Sequence, residues 1–187
     1  MIVKRLIIKH HGEQFHRGWE SVLAKTWRTA HEELARDLNR LVEARVLGPV
    51  DVLFGLEKDL RRRAFEAVLV WTEELLGPDD EAARMTAIRL ISTLFPADEA
   101  FNPPTEWWSS PFGRAVLLRA GHPNAEAVSF TVAAAMLGIS RQGVHDLAKR
   151  GKVQAHPEGG VTVHSVQARL KERMLGETGV AASDAES

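Results

Sequence analysis

The chain has 187 residues, 44 % of them hydrophobic, and a net charge of −1, a composition that supports one or two packed domains and excludes a disordered chain. No run reaches the roughly 18 consecutive apolar residues of a membrane span, and the opening MIVKRLIIKHH has neither the apolar length nor the small-residue cleavage site of a secretory leader. The absence of cysteine excludes disulfides, thiolate metal sites and cysteine nucleophiles together, and fits a reducing, cytoplasmic compartment.

In chain order, Ile2, Val3, Leu6, Ile7 and Ile8 read either as a strand or as the first turn of a helix. From about Gly12 to Ala44, Phe15, Trp19, Val22, Leu23, Ala30, Leu34, Leu38, Leu41 and Val42 mark one long amphipathic helix with a near-heptad stripe. Its length, roughly 45 to 50 Å at 1.5 Å per residue, exceeds what a small domain needs and calls for a partner helix, from a second copy or from this chain. Gly48 and Pro49 are expected to break it. A second helix then runs from about Val52 to Leu76, apolar on one face through Leu60, Ala64, Val68, Trp71 and Leu75 and on another through Phe65, Leu69 and Leu76, and so is expected to be sandwiched. After an acidic turn at 77–80, Met85, Ile88, Ile91, Leu94 and Phe95 form a third helix that Pro96 ends. Residues 1–100 thus read as an α-helical bundle for self-association or partner binding.

Residues 101–128 read as a connector containing proline and tryptophan, in which Trp107 and Trp108 must dock on a neighbour. Ser110, Pro111 and Gly121 mark the start and stop of a short helix within it. From 129 to 175 the pattern tightens. Thr131 is the expected cap of a helix that buries Ala133, Ala134 and Leu137. Gly138 can turn the chain in a left-handed conformation, Ile139 plugs the corner, and Ser140 caps a second helix with Val144 and Leu147 inward. Lys152 to His156 and Val161 to His164 read as strands about a Pro157 to Gly160 turn, the shape of a wing. Ser165 is the expected cap of a closing helix carrying Val166, Leu170 and Met174. The small, polar tail 176–187 reads as disordered.

These residues resemble the excisionase-like and MerR-like winged helix-turn-helix domains. The alanine-rich helix of that family, its LGIS-type turn, its VxxLxxxGK run and its glycine wing are matched by Ala133 to Ala135, Leu137 to Ser140, Val144 to Lys152 and Gly159 to Gly160. The resemblance covers the C-terminal quarter only. It implies a small C-terminal winged helix-turn-helix domain with a β-hairpin wing, so that, with the helical bundle read from the N-terminal pattern, the chain as a whole reads as mainly α. Where family members carry an Arg after the wing glycines, this chain has Val161 and Thr162.

Charge divides along the same boundary. Residues 129–175 hold seven Lys and Arg against three acids, a net +4, which leaves −5 for the rest of a chain totalling −1. Positive charge gathered on one small domain is what a phosphate backbone selects. Docking of the second helix in a major groove makes Arg141 and Gln142 the base readers, suited to guanine and adenine respectively. His145 falls at a base or a phosphate, and Ser140, Lys149, Arg150 and Lys152 fall at the backbone.

Other chemistry has little support. His10, His11 and His16 match no metal-ligand spacing, the acid pairs Glu32–Glu33 and Asp79–Asp80 sit in solvent-facing or capping contexts, and neither a glycine-rich phosphate loop nor a Ser-His-Asp signature stands out. The reading is a non-enzymatic, cofactor-free protein that binds double-stranded DNA sequence-specifically, as a bacterial or phage-type transcriptional regulator and a homodimer through its N-terminal helices. An excisionase-like architectural factor, and an antitoxin-like adaptor working through its helical region on a protein partner, stay open beside it.

Overall fold

The computed structural model describes residues 15–55, 58–96 and 101–183, with side chains placed within 27–173; the reading of residues 1–9 lies outside these. The described residues are mainly helical, with one small two-stranded antiparallel sheet among them. Helix α1 (Phe15–Val42) buries Leu34, Leu38 and Val42, one residue per turn. The expected break at Gly48 and Pro49 does not occur. Glu43–Leu47 widens into a π turn, in which the Gly48 N–H bonds to the Glu43 carbonyl five residues back, and α2 (Gly48–Phe54) continues the helix. A proline ring inside a regular helix strikes the carbonyl four residues earlier, and the widened turn relieves that contact. The chain turns instead at Gly55, where φ is 72°.

Helix α3 (Lys58–Leu76) buries Val68, Thr72 and Leu75 and packs on α1 and α4. It lies between those two helices, as expected, although Leu60, Phe65 and Val70 remain exposed. Asp79 caps α4 (Asp80–Leu94) by accepting from the N–H groups of Glu81 and Ala82 at 3.1 and 3.0 Å. The inward face of α4 is Ala83, Ala87, Leu90, Ile91 and Leu94, whereas Met85 and Ile88, expected inside, are exposed. Small residues at 83 and 87 let the helix axes approach, which rotates the larger side chains outward.

A 3-10 turn at Thr105–Ser109 seats the two tryptophans. Trp107 makes edge-to-face contacts with Phe95, Phe101, Trp108 and Phe112 at 4.9 to 5.8 Å, and Trp108 is buried. Helix α5 (Pro111–Ala120) begins at its Ser110 cap and stops at Gly121, as expected. Gly113 must lack a side chain, since a Cβ there would lie 2.2 Å from the Trp107 carbonyl oxygen. With Phe112, Ala115, Val116 and Leu117 buried, α5 touches α1 and α4 as well as α6 (Phe130–Leu137) and α8 (Val163–Ser183), so one hydrophobic core runs from Leu34 to Leu170.

The sheet differs from expectation. Its strands are β1 (Ala127–Val128) and β2 (Val161–Thr162), in the register Ala127 to Thr162 and Val128 to Val161. The expected strand at 152–156 contributes a single bridge, Ala155 to Val161. The returning strand is short because Val163 already begins α8, its N–H bonded to the Glu126 carbonyl. Ser165 therefore lies inside the first turn of α8 and does not cap it. Its hydroxyl donates to the Thr162 carbonyl and accepts from the Gln154 N–H, tying helix to hairpin. The tail expected to be disordered is helical as far as Ser183. Extending a helix that packing has already nucleated needs only tolerable propensity, and Glu177, Ala181 and Ala182 supply it.

Candidate nucleic-acid interface

The N-terminal end of α6 is capped by Ser129, whose Oγ accepts from the Val132 N–H at 3.2 Å, so Thr131, expected as the cap, lies within the helix and exposed. Ser129 comes two residues earlier and reaches the first free N–H groups. Ala133, Ala134 and Leu137 are buried as the spacing requires, joined by Met136, which the sequence reading missed. Gly138 adopts the left-handed conformation (φ 62°, ψ 37°), and the Ile139 N–H reaches back to the Ala134 carbonyl at 3.1 Å, a Schellman stop. Ser140 then caps α7 (Arg141–Lys149) through the Gly143 N–H at 3.0 Å. The same device closes α7: Gly151 has φ 66°, and the Lys152 N–H bonds to the Leu147 carbonyl at 2.8 Å.

Val144 is fully buried, with Leu147 and Ala148 half-buried beside it. That leaves Arg141, Gln142, Lys149, Arg150 and Lys152 exposed on and just beyond α7. Two of the expected contact residues are committed within the chain. The Ser140 hydroxyl serves the cap, and the His145 ring stacks on Phe130 at 3.8 Å with 12° between planes. Gln142 Nε2 also donates to Asp146 Oδ1 at 3.2 Å, so the face carries one carboxylate that the sequence reading had not weighed.

Beyond α7 the chain forms a tight hairpin. The His156 N–H bonds to the Gly160 carbonyl and the Gly159 N–H to the His156 carbonyl, at 3.1 and 3.0 Å. Gly160 (φ 81°) passes so close to β1 that a Cβ would lie 2.2 Å from the Val128 oxygen, which fixes the hairpin against the N-terminal end of α6.

Sequence reasoning also passed over two arginines on α8. Arg169 and Arg173, one turn apart, join Arg150 around a cleft of about 350 Å3 with Leu137, Ile139, Leu147 and Asp146. Arg173 Nη1 donates to the Leu137 carbonyl at 2.5 Å and so ties α8 to the end of α6, whereas Arg169 Nη1 pairs with Glu172 within α8 at 3.0 Å. A second cleft, on the hairpin side, holds His122, His156 and His164. Burial holds the His122 imidazole below its ordinary pKa. Among the described residues no three His, Asp or Glu side chains are grouped to bind a metal ion. His10 and His11, and the side chain of His16, lie outside the described residues.

No family model, curated protein or solved structure matches this chain. Among the described residues no helix is long and apolar enough to cross a membrane.

Proposed function

We propose that the chain is a cytoplasmic, sequence-specific double-stranded DNA-binding protein of winged helix-turn-helix type, acting as a bacterial or phage-type transcriptional regulator. The observation that supports it best is the pairing of α6 and α7 through the left-handed Gly138. It leaves α7 buried on its Val144 side and open on the side that carries Arg141, Gln142 and Lys149. A Ser-capped helix beginning with Arg and Gln presents its N-terminal residues to base edges, while basic groups at its far end meet phosphates. The hairpin at 152–162 stands in the wing's position in the chain, and the net +4 of residues 129–175 suits an anionic partner. Arg141 and Gln142 are the assigned readers. Lys149, Arg150 and Lys152 are the assigned backbone contacts.

The test is selection of bound duplexes from a random-sequence pool, followed by a salt titration on the winner. An enriched motif, with affinity falling steeply as salt rises, is the expected result. Equal recovery of all sequences would leave only electrostatic adhesion, and no binding at low salt would overturn the reading.

A further inference from the structure

The cleft of about 350 Å3 bounded by the α6–α7 turn, α7 and α8 is lined by Arg150, Arg169 and Arg173. Arg169 and Arg173 reach it from α8, four residues apart and so on one face of the helix, and Arg150 reaches it from the C-terminal end of α7. Arg173 is pinned by its bond to the Leu137 carbonyl. Arg169 commits Nη1 to Glu172, an exposed partner, but its Nε is buried and has no hydrogen-bond partner among the described residues. Among the same residues the exposed Arg150 guanidinium makes no hydrogen bond or ion pair. A guanidinium cannot shed its charge by losing a proton, and a buried N–H without an acceptor is rare in folded proteins unless something outside the chain supplies one.

The lining selects the chemistry of an occupant. Asp146 is the one acidic side chain among the lining residues, and its Oδ1 already accepts from Gln142, so fixed positive charge dominates. The planar fork of a guanidinium matches the paired oxygens of a carboxylate or a phosphate. Leu137, Ile139 and Leu147 make the remaining wall apolar. A water molecule takes up about 30 Å3 of liquid, so the cleft is too large for a bare ion and falls at the lower end of the range of small-molecule sites, about 300 to 1,000 Å3. Position separates it from the proposed reading face. Gly143, Asp146, Leu147 and Arg150 form one stripe of α7, and Arg141, Gln142, His145 and Lys149 form another about a third of a turn away. An occupant of the cleft therefore leaves Arg141 and Gln142 uncovered, and Arg150 is the residue it shares with the proposed phosphate contacts.

We infer that this cleft binds a small organic anion, a carboxylate or phosphate carried on an apolar body, with its oxygens held by Arg150 and Arg169 and its body against Leu137, Ile139 and Leu147. The inference does not depend on DNA binding. Its test is titration of the full chain with phenyl phosphate, benzoate, inorganic phosphate and benzyl alcohol, followed through the methyl resonances of Leu137, Ile139 and Leu147. Phenyl phosphate, benzoate or both should saturate those shifts at millimolar concentration or below, and which of them binds tighter identifies the oxyanion. Inorganic phosphate should bind more weakly, and benzyl alcohol should not saturate. Arg150→Gln and Arg169→Gln should each weaken binding by about ten-fold, the value of one charge-assisted hydrogen bond. Arg62→Gln, which removes the same charge from α3, should leave it unchanged. If Arg169→Gln folds poorly, the exposed Arg150→Gln decides alone. A parent that takes up neither organic anion overturns the inference, and a loss of duplex affinity in Arg169→Gln would then give the cleft to a DNA backbone. Binding that survives both cleft variants, or that Arg62→Gln weakens equally, overturns it too, as does inorganic phosphate bound as tightly as phenyl phosphate.

Discussion

The His145 imidazole lies flat on the Phe130 ring, centroids 3.8 Å apart, so a residue whose spacing places it on the outer face of α7 instead fastens that helix to the first residue of α6. Stacking the two ring faces removes both from water, and residues in direct contact of this kind couple by about 0.5 to 3 kcal/mol. His145→Ala and Phe130→Ala should each lower stability in urea denaturation. Their double mutant should fall short of the sum by about 1 kcal/mol, the signature of a shared contact. If His145 serves packing alone, His145→Ala will also leave the salt dependence of DNA binding unchanged. A slope reduced by about one unit would show that the ring leaves Phe130 to meet a phosphate.

At Gly138 the cost of a side chain is conformational and not steric, because φ is 62° yet an added Cβ would meet nothing within 4 Å. Gly138→Val should therefore destabilise the protein by about 1 to 2 kcal/mol or more. Gly138→Asn, whose side chain tolerates the left-handed region, should recover much of that loss. Thermal unfolding of both variants separates strain from crowding. Equal losses would place the difficulty in packing.

Asp37 joins the two ends of the core: its buried Oδ2 accepts from the Phe112 N–H at 3.1 Å, in the first turn of α5. Removing it strands a buried donor and a helix N-terminus that favours negative charge. Asp37→Ala should cost about 1 to 3 kcal/mol. Arg40→Ala, which removes only the exposed partner of the 2.6 Å ion pair with Asp37, should change stability by less than about 1 kcal/mol. Comparable losses from the two variants would mean that the ion pair, and not the α5 contact, is what Asp37 supplies.

Much of this architecture was legible where a single residue type answers a local demand. Gly138 and Gly121 at positive φ, Ser110 and Pro111 opening α5, and Asp79 capping α4 are such cases, for each depends only on its neighbours in sequence. The misreadings arise where distant contacts decide. Pro49 signals a break, but the π turn at Glu43–Leu47 absorbs it, and Arg45 anchors that turn to the Leu94 carbonyl across the fold. Met85 and Ile88 look like core until Ala83 and Ala87 set the helix spacing. β1 is two residues long, too short for any period to reveal, and exists because Val161 and Thr162 pair with it. At the candidate interface the exposed basic residues follow from helical spacing alone. The Asp146 bond to Gln142 and the arrival of Arg169 and Arg173 beside Arg150 required the packed structure.

His122 makes stability depend on pH. Burial lowers its pKa, its ring lies 5.0 Å from Trp108, and its Nδ1 accepts from the Asn124 N–H at 3.3 Å, an arrangement that requires an unprotonated Nδ1. The folded state therefore favours the neutral ring, and the unfolded chain binds the proton first, near the ordinary histidine value of about 6.5. Stability should be unaffected well above that pH and should fall as pH drops from it toward the lower folded-state value. The measurement is the difference between parent and His122→Gln in urea midpoints from pH 7.5 to 5.5, which isolates this one ring. Parallel curves would remove His122 as the source.

Gln142 and Asp146 supply the sharpest test of the proposed reading face, because one hydrogen bond of 3.2 Å links a proposed base reader to a carboxylate. In the free protein that bond holds the Gln142 amide on α7, and contact with an adenine edge has to compete with it or exploit the orientation it imposes. Asp146 also places a negative charge where phosphates approach. Asp146→Ala should therefore strengthen binding to every duplex, and the gain should be largest at low salt, where repulsion is least screened. It should at the same time blunt the preference at the base pair that Gln142 contacts. Gln142→Ala should cost about 1 to 3 kcal/mol on the selected duplex and little on a scrambled one. In the double variant the blunting should not deepen beyond that of Gln142→Ala, since Gln142 is the reader of that base pair. Anisotropy titrations on the two duplexes at two salt concentrations give all of these quantities. If Asp146→Ala leaves both affinity and preference unchanged, the DNA lies elsewhere, and the exposed face of α7 is not the reader.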